Sequence, residues 1–413
     1  MLKRGLLSLH QKICRFVLLV LARSFVRDEL EVSFNGASHR ACRNKGRRGN
    51  QAKRLRARID ITDARAWPLV LLGGSAGLGE AWSKGFWETT DLTASIQILA
   101  RATSIADKPR SLIQAVVGPI TDRFRRLRPQ DKHRDRQNIG AHYDLGNAFF
   151  EQLLDPTMMY SSALFSSPDL TLEEGSIAKL DRLCRMIDIQ PGVRVLEIGT
   201  GWGGFAIHAA TRFGAHVTTT TISAEQFIYA TNRVAAVGLE DQITVLNDDY
   251  RDLSGSWDRL VSIEMIEAVD WRDYDTFFST CCELLAPGGV MGLQAIVIEP
   301  DRFERAKNTR DFIKAHIFPG GCLPSIDAIE RSLGRVTDFS VDEDFGFGAD
   351  YAETLRRWRV NLHADEAALA SIGLDQQFIR LWDFYLCYCE AGFDEKMIDV
   401  VQMRFTRPVN SSR

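Results

Sequence analysis

Val193-Arg-Val-Leu-Glu-Ile-Gly-Thr-Gly-Trp-Gly-Gly-Phe-Ala-Ile-His208 is the stretch that decides how the rest of the chain is read. Val193, Val195, Leu196 and Ile198 are the β-branched and aliphatic residues of a strand covered on both faces, and Phe205-Ala-Ile-His-Ala-Ala210 opens a helix of small and apolar residues. Between them stand Gly199, Gly201, Gly203 and Gly204. Lacking a Cβ, they permit a tight turn and let a ligand lie against bare backbone, at the end of a helix whose first N–H groups point outward. Such a junction is a nucleotide-type cradle.

Glycine turns of this spacing also close dinucleotide folds. Glu197, two residues before the first glycine, separates the readings, because a pyrophosphate gains nothing from a carboxylate whereas a sulfonium ligand with an amino-acid tail does. The second strand, His216-Val-Thr-Thr-Thr-Thr-Ile222, ends without a ribose-reading acid. S-adenosylmethionine is therefore preferred over a dinucleotide, with a purely structural turn as the bland alternative.

Outward from the cradle the α/β alternation is regular. Thr171-Leu-Glu-Glu174 is a capping pattern for a helix through Ile187. Further helices are expected over Ala224 to Val237 and Phe277 to Leu285, and further strands over Ile243 to Leu246, Trp257 to Glu264 and Gly288 to Ile298. Alternation of this kind implies a parallel, doubly wound, Rossmann-like sheet, and a helical lid and a small amino-terminal domain are expected beside it. Ligands then gather at the carboxyl ends of the strands, which brings Glu197 to Gly204, Thr221 to Gln226, Asp249 and Tyr250, and Glu264 to Glu267 to one crevice.

The first third differs in charge. Residues 1 to 136 carry 27 Lys and Arg against 12 Asp and Glu, a net of +15, within a chain of 413 residues and net charge −3. Phe16-Val-Leu-Leu-Val-Leu-Ala22 is apolar but flanked by Lys12, Arg15 and Arg23, and it falls short of the ~20 residues a membrane span needs. No small-residue cleavage site follows it. A basic amphipathic segment lying on a membrane surface is the functional reading and an upstream extension the bland one. From His39 to Arg58 nine Lys or Arg are interleaved with few apolar residues, so residues 1 to 58 are expected to be largely flexible after the first helix. Anionic headgroups would attract them. Nucleic acid is disfavoured, since no aromatic residues are interleaved to stack on bases.

Residues 59 to 137 are expected to form a small unit and a helical linker, with Gly73-Gly-Ser-Ala-Gly-Leu-Gly79 as a structural turn. Residues 138 to 413 would form the catalytic domain. Eight cysteines show no Cys-x-x-Cys spacing and no neighbouring His, which argues against zinc and a disulfide framework and for a cytosolic protein.

Further motifs sharpen this picture: His142-Tyr-Asp-Leu-Gly-Asn147, Met159-Tyr-Ser-Ser162, Thr221-Ile-Ser-Ala-Glu-Gln226, Asp249-Tyr-Arg-Asp252, Ile317-Phe-Pro-Gly-Gly-Cys-Leu-Pro-Ser325, Tyr351-Ala-Glu-Thr-Leu355 and Tyr385-Leu-Cys-Tyr-Cys-Glu-Ala-Gly-Phe393. With Leu196 to Gly204 they resemble the cyclopropane-fatty-acyl-phospholipid synthase family, which includes the mycolic acid cyclopropane synthases. The resemblance covers about residues 139 to 405, and Gly77-Leu-Gly-Glu-Ala-Trp82 is similar to the small amino-terminal domain of longer members.

The resemblance implies transfer of the S-adenosylmethionine methyl to an alkene within an unsaturated phospholipid acyl chain, at the inner membrane surface and without nucleic acid, with a homodimer left open. Cofactor contacts would fall on Tyr160, Ser161, Leu196, Glu197, Gly199, Gly201, Gly203, Gly204, Thr221, Gln226, Tyr250 and Ile263. In the family a bicarbonate ion takes up the released proton. Its holders would be Glu267, the Ile296 backbone and Tyr351, with Ser162 in place of the usual Cys, Gln294 in place of His, and Ala268 where another His usually follows. A hydroxyl and an amide donate hydrogen bonds to an anion but do not carry a proton away as imidazole does. Cys389 matches a cysteine often assigned to the active site, its bland reading being a buried apolar thiol. Tyr160, Trp202, Tyr351 and Phe393 are candidate aromatic faces for a cation.

Three outcomes stay open on sequence: a cyclopropane product, a methylene- or methyl-branched product from the same carbocation, and a lipid- and cofactor-binding protein without turnover.

Overall fold

The structure is a computed structural model that describes residues 8–42, 54–102 and 146–409. The chain divides into two compact units. The expected helical linker over 106 to 137 and most of the His142 motif lie outside the described residues.

One unit joins the described residues up to 102 with Asp311–His316 and Glu366–Glu395. Its sheet has the order β2-β1-β3-β4, built from β1 (Glu29–Phe34), β2 (Ala37–Ala41), β3 (Arg56–Ile61) and β4 (Trp87–Thr89). Two of these strands lie inside the segment expected to be flexible, so residue 58 is not a boundary. Alternation explains them: in β1 Leu30, Val32 and Phe34 are buried while their neighbours are half exposed, and Asn35 and Gly36, both at positive φ, close a two-residue hairpin to β2.

The glycine run expected to be a turn lies inside the helix Ala66–Ser83, which kinks at Gly74. Gly79 is required there by packing, since a Cβ would come within 2.3 Å of the Phe312 ring. The helix Gln376–Asp394, expected in the catalytic domain, packs on this one instead. Thr93 and Gln97 donate to Glu390 and Asp394, and Arg101 pairs with Glu395 at 2.6 Å.

The second unit is built on a seven-stranded sheet of order β10-β11-β9-β8-β5-β6-β7. Its strands are β5 (Arg194–Ile198), β6 (His216–Thr220), β7 (Ile243–Leu246), β8 (Trp257–Ile263), β9 (Leu285–Ile298), β10 (Ser340–Gly346) and β11 (Ile398–Thr406). The five from β9 to β7 are parallel and match the expected strands to within a few residues. The sheet is nevertheless mixed, because β11 runs antiparallel to β9 and β10 antiparallel to β11.

Two cores flank this sheet. One gathers Leu196, Leu260 and Leu293 with Phe277 and Phe278, and the other Val195, Val217 and Val261 with Phe205, Leu180 and Leu183. The helix Leu172–Met186 carries the expected capping box, Thr171 and Glu174 satisfying each other's backbone N–H. Strand order reverses beside β5, so the carboxyl ends of β5, β6, β8 and β9 border one crevice.

Candidate active site

The glycine junction after β5 has the geometry its composition implies. Gly199, Gly201 and Gly203 have φ of 105°, 52° and 84°, and the helix Gly204–Phe213 starts immediately after them. A Cβ on Gly204 would meet the Thr157 carbonyl at 2.5 Å and Met159 Sδ at 2.6 Å, so the loop lies directly on the segment that leads to Tyr160, Ser161 and Ser162. Arg233 fastens the two together, donating to the carbonyls of Trp202 at 2.8 Å and Thr157 at 3.2 Å. Tyr160 stands edge-on to Phe150 and packs at 5.3 Å on Trp358, and Phe150 lies 4.6 Å from Trp202.

At the other candidate cofactor positions the side chains are held. Glu197 is buried and accepts a 2.6 Å hydrogen bond from Thr219. Thr221 donates to Gln226 at 2.8 Å. Tyr250 packs edge-on to Phe277 at 5.6 Å, and burial raises its pKa. Leu196 lies in one core, and Ile263 packs against the other.

Behind the cradle sits a group the sequence reading missed. Lys179 is fully buried in the helix Leu172–Met186 and donates to Ser161 Oγ at 2.6 Å. Burial brings its pKa down to about 8, opposed by Glu264, Asp155 and Glu197. The signal was periodicity: Ser176, Lys179, Leu180, Leu183 and Cys184 share the covered face of one helix.

A second residue, placed in the crevice by the strand pattern but given no role there, organises the centre. Glu264 immediately follows β8 at a φ of 49°, a left-handed conformation in which a residue with a Cβ is strained. Its Oε1 accepts from the Ser162 N–H at 3.0 Å and from Gln294 Nε2 at 2.7 Å, and its Oε2 from the Tyr351 hydroxyl at 2.6 Å. Gln294 cannot turn its amide around, because its oxygen accepts from Gln402 at 3.0 Å and the oxygen of Gln402 is held by Arg182 at 2.7 Å. Burial raises the Glu264 pKa, opposed by Lys179 and the three donors.

Glu267, the carboxylate expected to matter, lies beside Glu264. Its Oε1 accepts from the Ile296 N–H at 2.5 Å, while its buried Oε2 has no hydrogen-bond partner among the described residues. Burial, reinforced by the charge of Glu264, pushes its pKa up to about 8.

The expected set is thus largely assembled, with corrections. Ser162 contributes its backbone N–H, and its hydroxyl is turned away to donate to the Ala163 carbonyl at 2.9 Å. Gln294 and Tyr351 do face an anion, and that anion is the chain's own Glu264. The donors assigned to bicarbonate are engaged by Glu264 and Glu267, so this centre does not fit a free bicarbonate. Cys389 and Phe393 belong to the other unit, and desolvation raises the pKa of the half-buried Cys389 thiol. All eight cysteines are free.

Comparison with known proteins gives these positions a family. The mycolic acid cyclopropane synthetase family profile matches residues 130–403. Over 343 residues the chain is 40% identical to tuberculostearic acid methyltransferase UfaA1 of Mycobacterium tuberculosis, covering 81% of this chain and 79% of the relative. Over 344 residues it is 36% identical to the cyclopropane-fatty-acyl-phospholipid synthase of Escherichia coli K12, covering 83% and 86%. Among solved structures, mycolic acid cyclopropane synthase CmaA1 complexed with SAH and CTAB superposes with a TM-score of 0.62 at 31% identity, over 68% of this chain and 100% of that one. The chain therefore belongs to the mycolic acid cyclopropane synthetase family of S-adenosylmethionine-dependent methyltransferases.

Proposed function

We propose that this enzyme methylates the double bond of an unsaturated phospholipid acyl chain. The observation that carries the reading is electrostatic. Buried Glu197 and half-buried Glu264 and Glu267 are grouped around Lys179, the one buried lysine among the described residues, and removal of their carboxyl groups from water pushes the pKa values of Glu197 and Glu267 up to about 8. Such a site lacks positive charge. A sulfonium cofactor supplies it, and so does the carbocation left when an alkene takes up a methyl cation.

S-adenosylmethionine would bring the electrophilic methyl group. Around it, Gly199 to Gly204 would offer bare backbone, Glu197 a carboxylate for its charged portion, and Thr221, Gln226, Tyr250 and Ile263 the walls toward the adenosine. Tyr160 and Ser161 would close the face opposite the cradle, to which Trp202 itself belongs. Tyr351 and Tyr160, both packed on Trp358, would present ring faces that attract a cation without forming a bond to it.

Ring closure to a cyclopropane is the leading product. A methylene- or methyl-branched chain is the alternative, favoured by Ser162 and Gln294 standing where the resemblance expects Cys and His. Access to acyl chains would come from the membrane surface. Among the described residues no helix is long and apolar enough to cross a membrane, but the helix Leu9–Phe25 exposes Leu9, Ile13, Phe16 and Val20 in a region of net positive charge.

Incubation with methyl-labelled S-adenosylmethionine and vesicles of unsaturated phospholipid tests the assignment. Label should enter the acyl fraction, and mass spectrometry of the released fatty acids should separate ring from branch. Cofactor binding without label in any lipid would remove the reading.

A further inference from the structure

We infer that Glu264 is a built-in replacement for the bicarbonate ion, so that this enzyme takes up the reaction's proton on its own carboxylate and needs no dissolved anion. The inference rests on the lipid methyl-transfer reading and adds the identity of the base.

Three observations converge on it. First, Ser162, Gln294 and Tyr351, three of the positions assigned to bicarbonate, direct their donors at one carboxylate at 3.0, 2.7 and 2.6 Å. A carboxylate and a bicarbonate present the same planar O–C–O edge to such donors. Second, a fourth donor, the Ile296 N–H, is taken by Glu267, so an incoming anion would find two carboxylates in place of free donors. Third, Glu264 holds this place at a φ of 49°. A strained backbone at a functional centre persists where the surroundings over-determine it, and four side chains, Gln294, Gln402, Arg182 and Tyr351, fix the Glu264 carboxylate or its donors.

The step balances without a further reactant. The alkene π pair forms the new carbon–carbon bond to the methyl while the sulfur–methyl bond breaks with its pair left on sulfur, leaving a cation on the neighbouring chain carbon. A C–H bond then breaks, and its proton goes to Glu264. If the bond lay on the new methyl, its electron pair closes the ring; if it lay on an adjacent chain carbon, the pair forms a new double bond. Glu264, now neutral, returns the proton to solvent before the next turnover.

Two variants and one ion test this. Glu264→Gln keeps the shape and removes the base, and should lower turnover at least about 100-fold while cofactor binding is retained. Glu264→Gly suits the left-handed backbone, so it should fold, and it vacates the anion seat. Its turnover should be equally low in carbonate-stripped buffer and should rise at least tenfold with excess bicarbonate, whereas the unaltered enzyme should be indifferent. Binding of 13C-bicarbonate, followed by NMR, should appear in Glu264→Gly alone. Turnover of the unaltered enzyme that collapses on removing bicarbonate, or full turnover of Glu264→Gln, would overturn the inference. If no lipid is methylated under any condition, the lipid reading fails, and the NMR comparison still decides this one: bicarbonate bound equally by both proteins refutes it.

Discussion

Tyr351 and Glu264 are joined by a 2.6 Å hydrogen bond from phenol to carboxylate, between a helix that follows β10 and the end of β8, 87 residues apart in sequence. The same tyrosine ring stands edge-on to Trp358 at 6.1 Å. The residue thus packs through its ring and acts through its hydroxyl.

Replacing Tyr351 by Phe separates these roles. The ring contact survives and one donor to a buried charge is lost, a change of about 1.5–3 kcal/mol. Turnover should fall roughly 10- to 100-fold, with affinity for S-adenosylhomocysteine unchanged by calorimetry. Because the donor favours the ionised carboxylate, its loss raises the Glu264 pKa further and should move the acidic limb of the pH–rate profile upward. An unshifted limb would mean that the phenol serves only packing.

The cradle makes a separate prediction. Gly204 cannot carry a side chain without displacing Thr157 or Met159, each within 2.6 Å of a built Cβ. Overpacking of this kind costs about 1–3 kcal/mol. Gly204→Ala should lower the unfolding free energy obtained from denaturant titration by that amount and weaken binding of S-adenosylhomocysteine, since the displaced segment carries Tyr160 and Ser161.

Much of this was legible in the sequence. The inner parallel strands announce themselves because their apolar runs are largely buried and end at a glycine or a polar residue, whereas the edge strand β7 exposes Thr244 and gives a weaker signal. Strand β10, Ser-Val-Asp-Glu-Asp-Phe-Gly, was not legible, since an exposed edge strand has no apolar face to alternate. The hairpin at Asn35-Gly36 was written in the chain and obscured by the basic run that follows it. The membership of Gln376–Asp394 in the first unit was out of reach, because it depends on partners such as Thr93, 297 residues away. Glu264 was visible as an acid at a strand end, but that its carboxylate meets the donors assigned to another anion is a three-dimensional fact.

The helix Leu9–Phe25 predicts a membrane phenotype. Phe16 is 69% exposed and Leu9 76%, in line with Ile13 and Val20 and beside Lys12 and Arg23. Burying one such side chain in a bilayer interface contributes about 1.5–3 kcal/mol. Ile13→Glu with Phe16→Glu should weaken binding to anionic vesicles at least tenfold in a flotation assay. Turnover on detergent-dispersed substrate should be unchanged, and a drop there would indicate damage to the fold.

Stability should follow the buried carboxylates. Glu197 and Glu267 hold their protons up to about pH 8 in the folded chain but release them near 4.5 when unfolded, and Glu264 is raised as well. Between those values the native state binds more protons than the unfolded one, so their stabilising contribution is complete below pH 4.5 and is lost as pH rises toward 8. Lys179 has the opposite shift, from 10.5 to about 8, and its contribution rises again above pH 8. Melting of the ligand-free enzyme should therefore fall between about pH 5 and pH 8, and Glu267→Gln should flatten that fall. S-adenosylmethionine, whose sulfonium compensates the carboxylates, should raise the melting temperature more at pH 8 than at pH 6. S-adenosylhomocysteine, with a neutral sulfur, should show less of this difference. Equal pH dependence for the two ligands would mean that the sulfonium does not sit within reach of these acids.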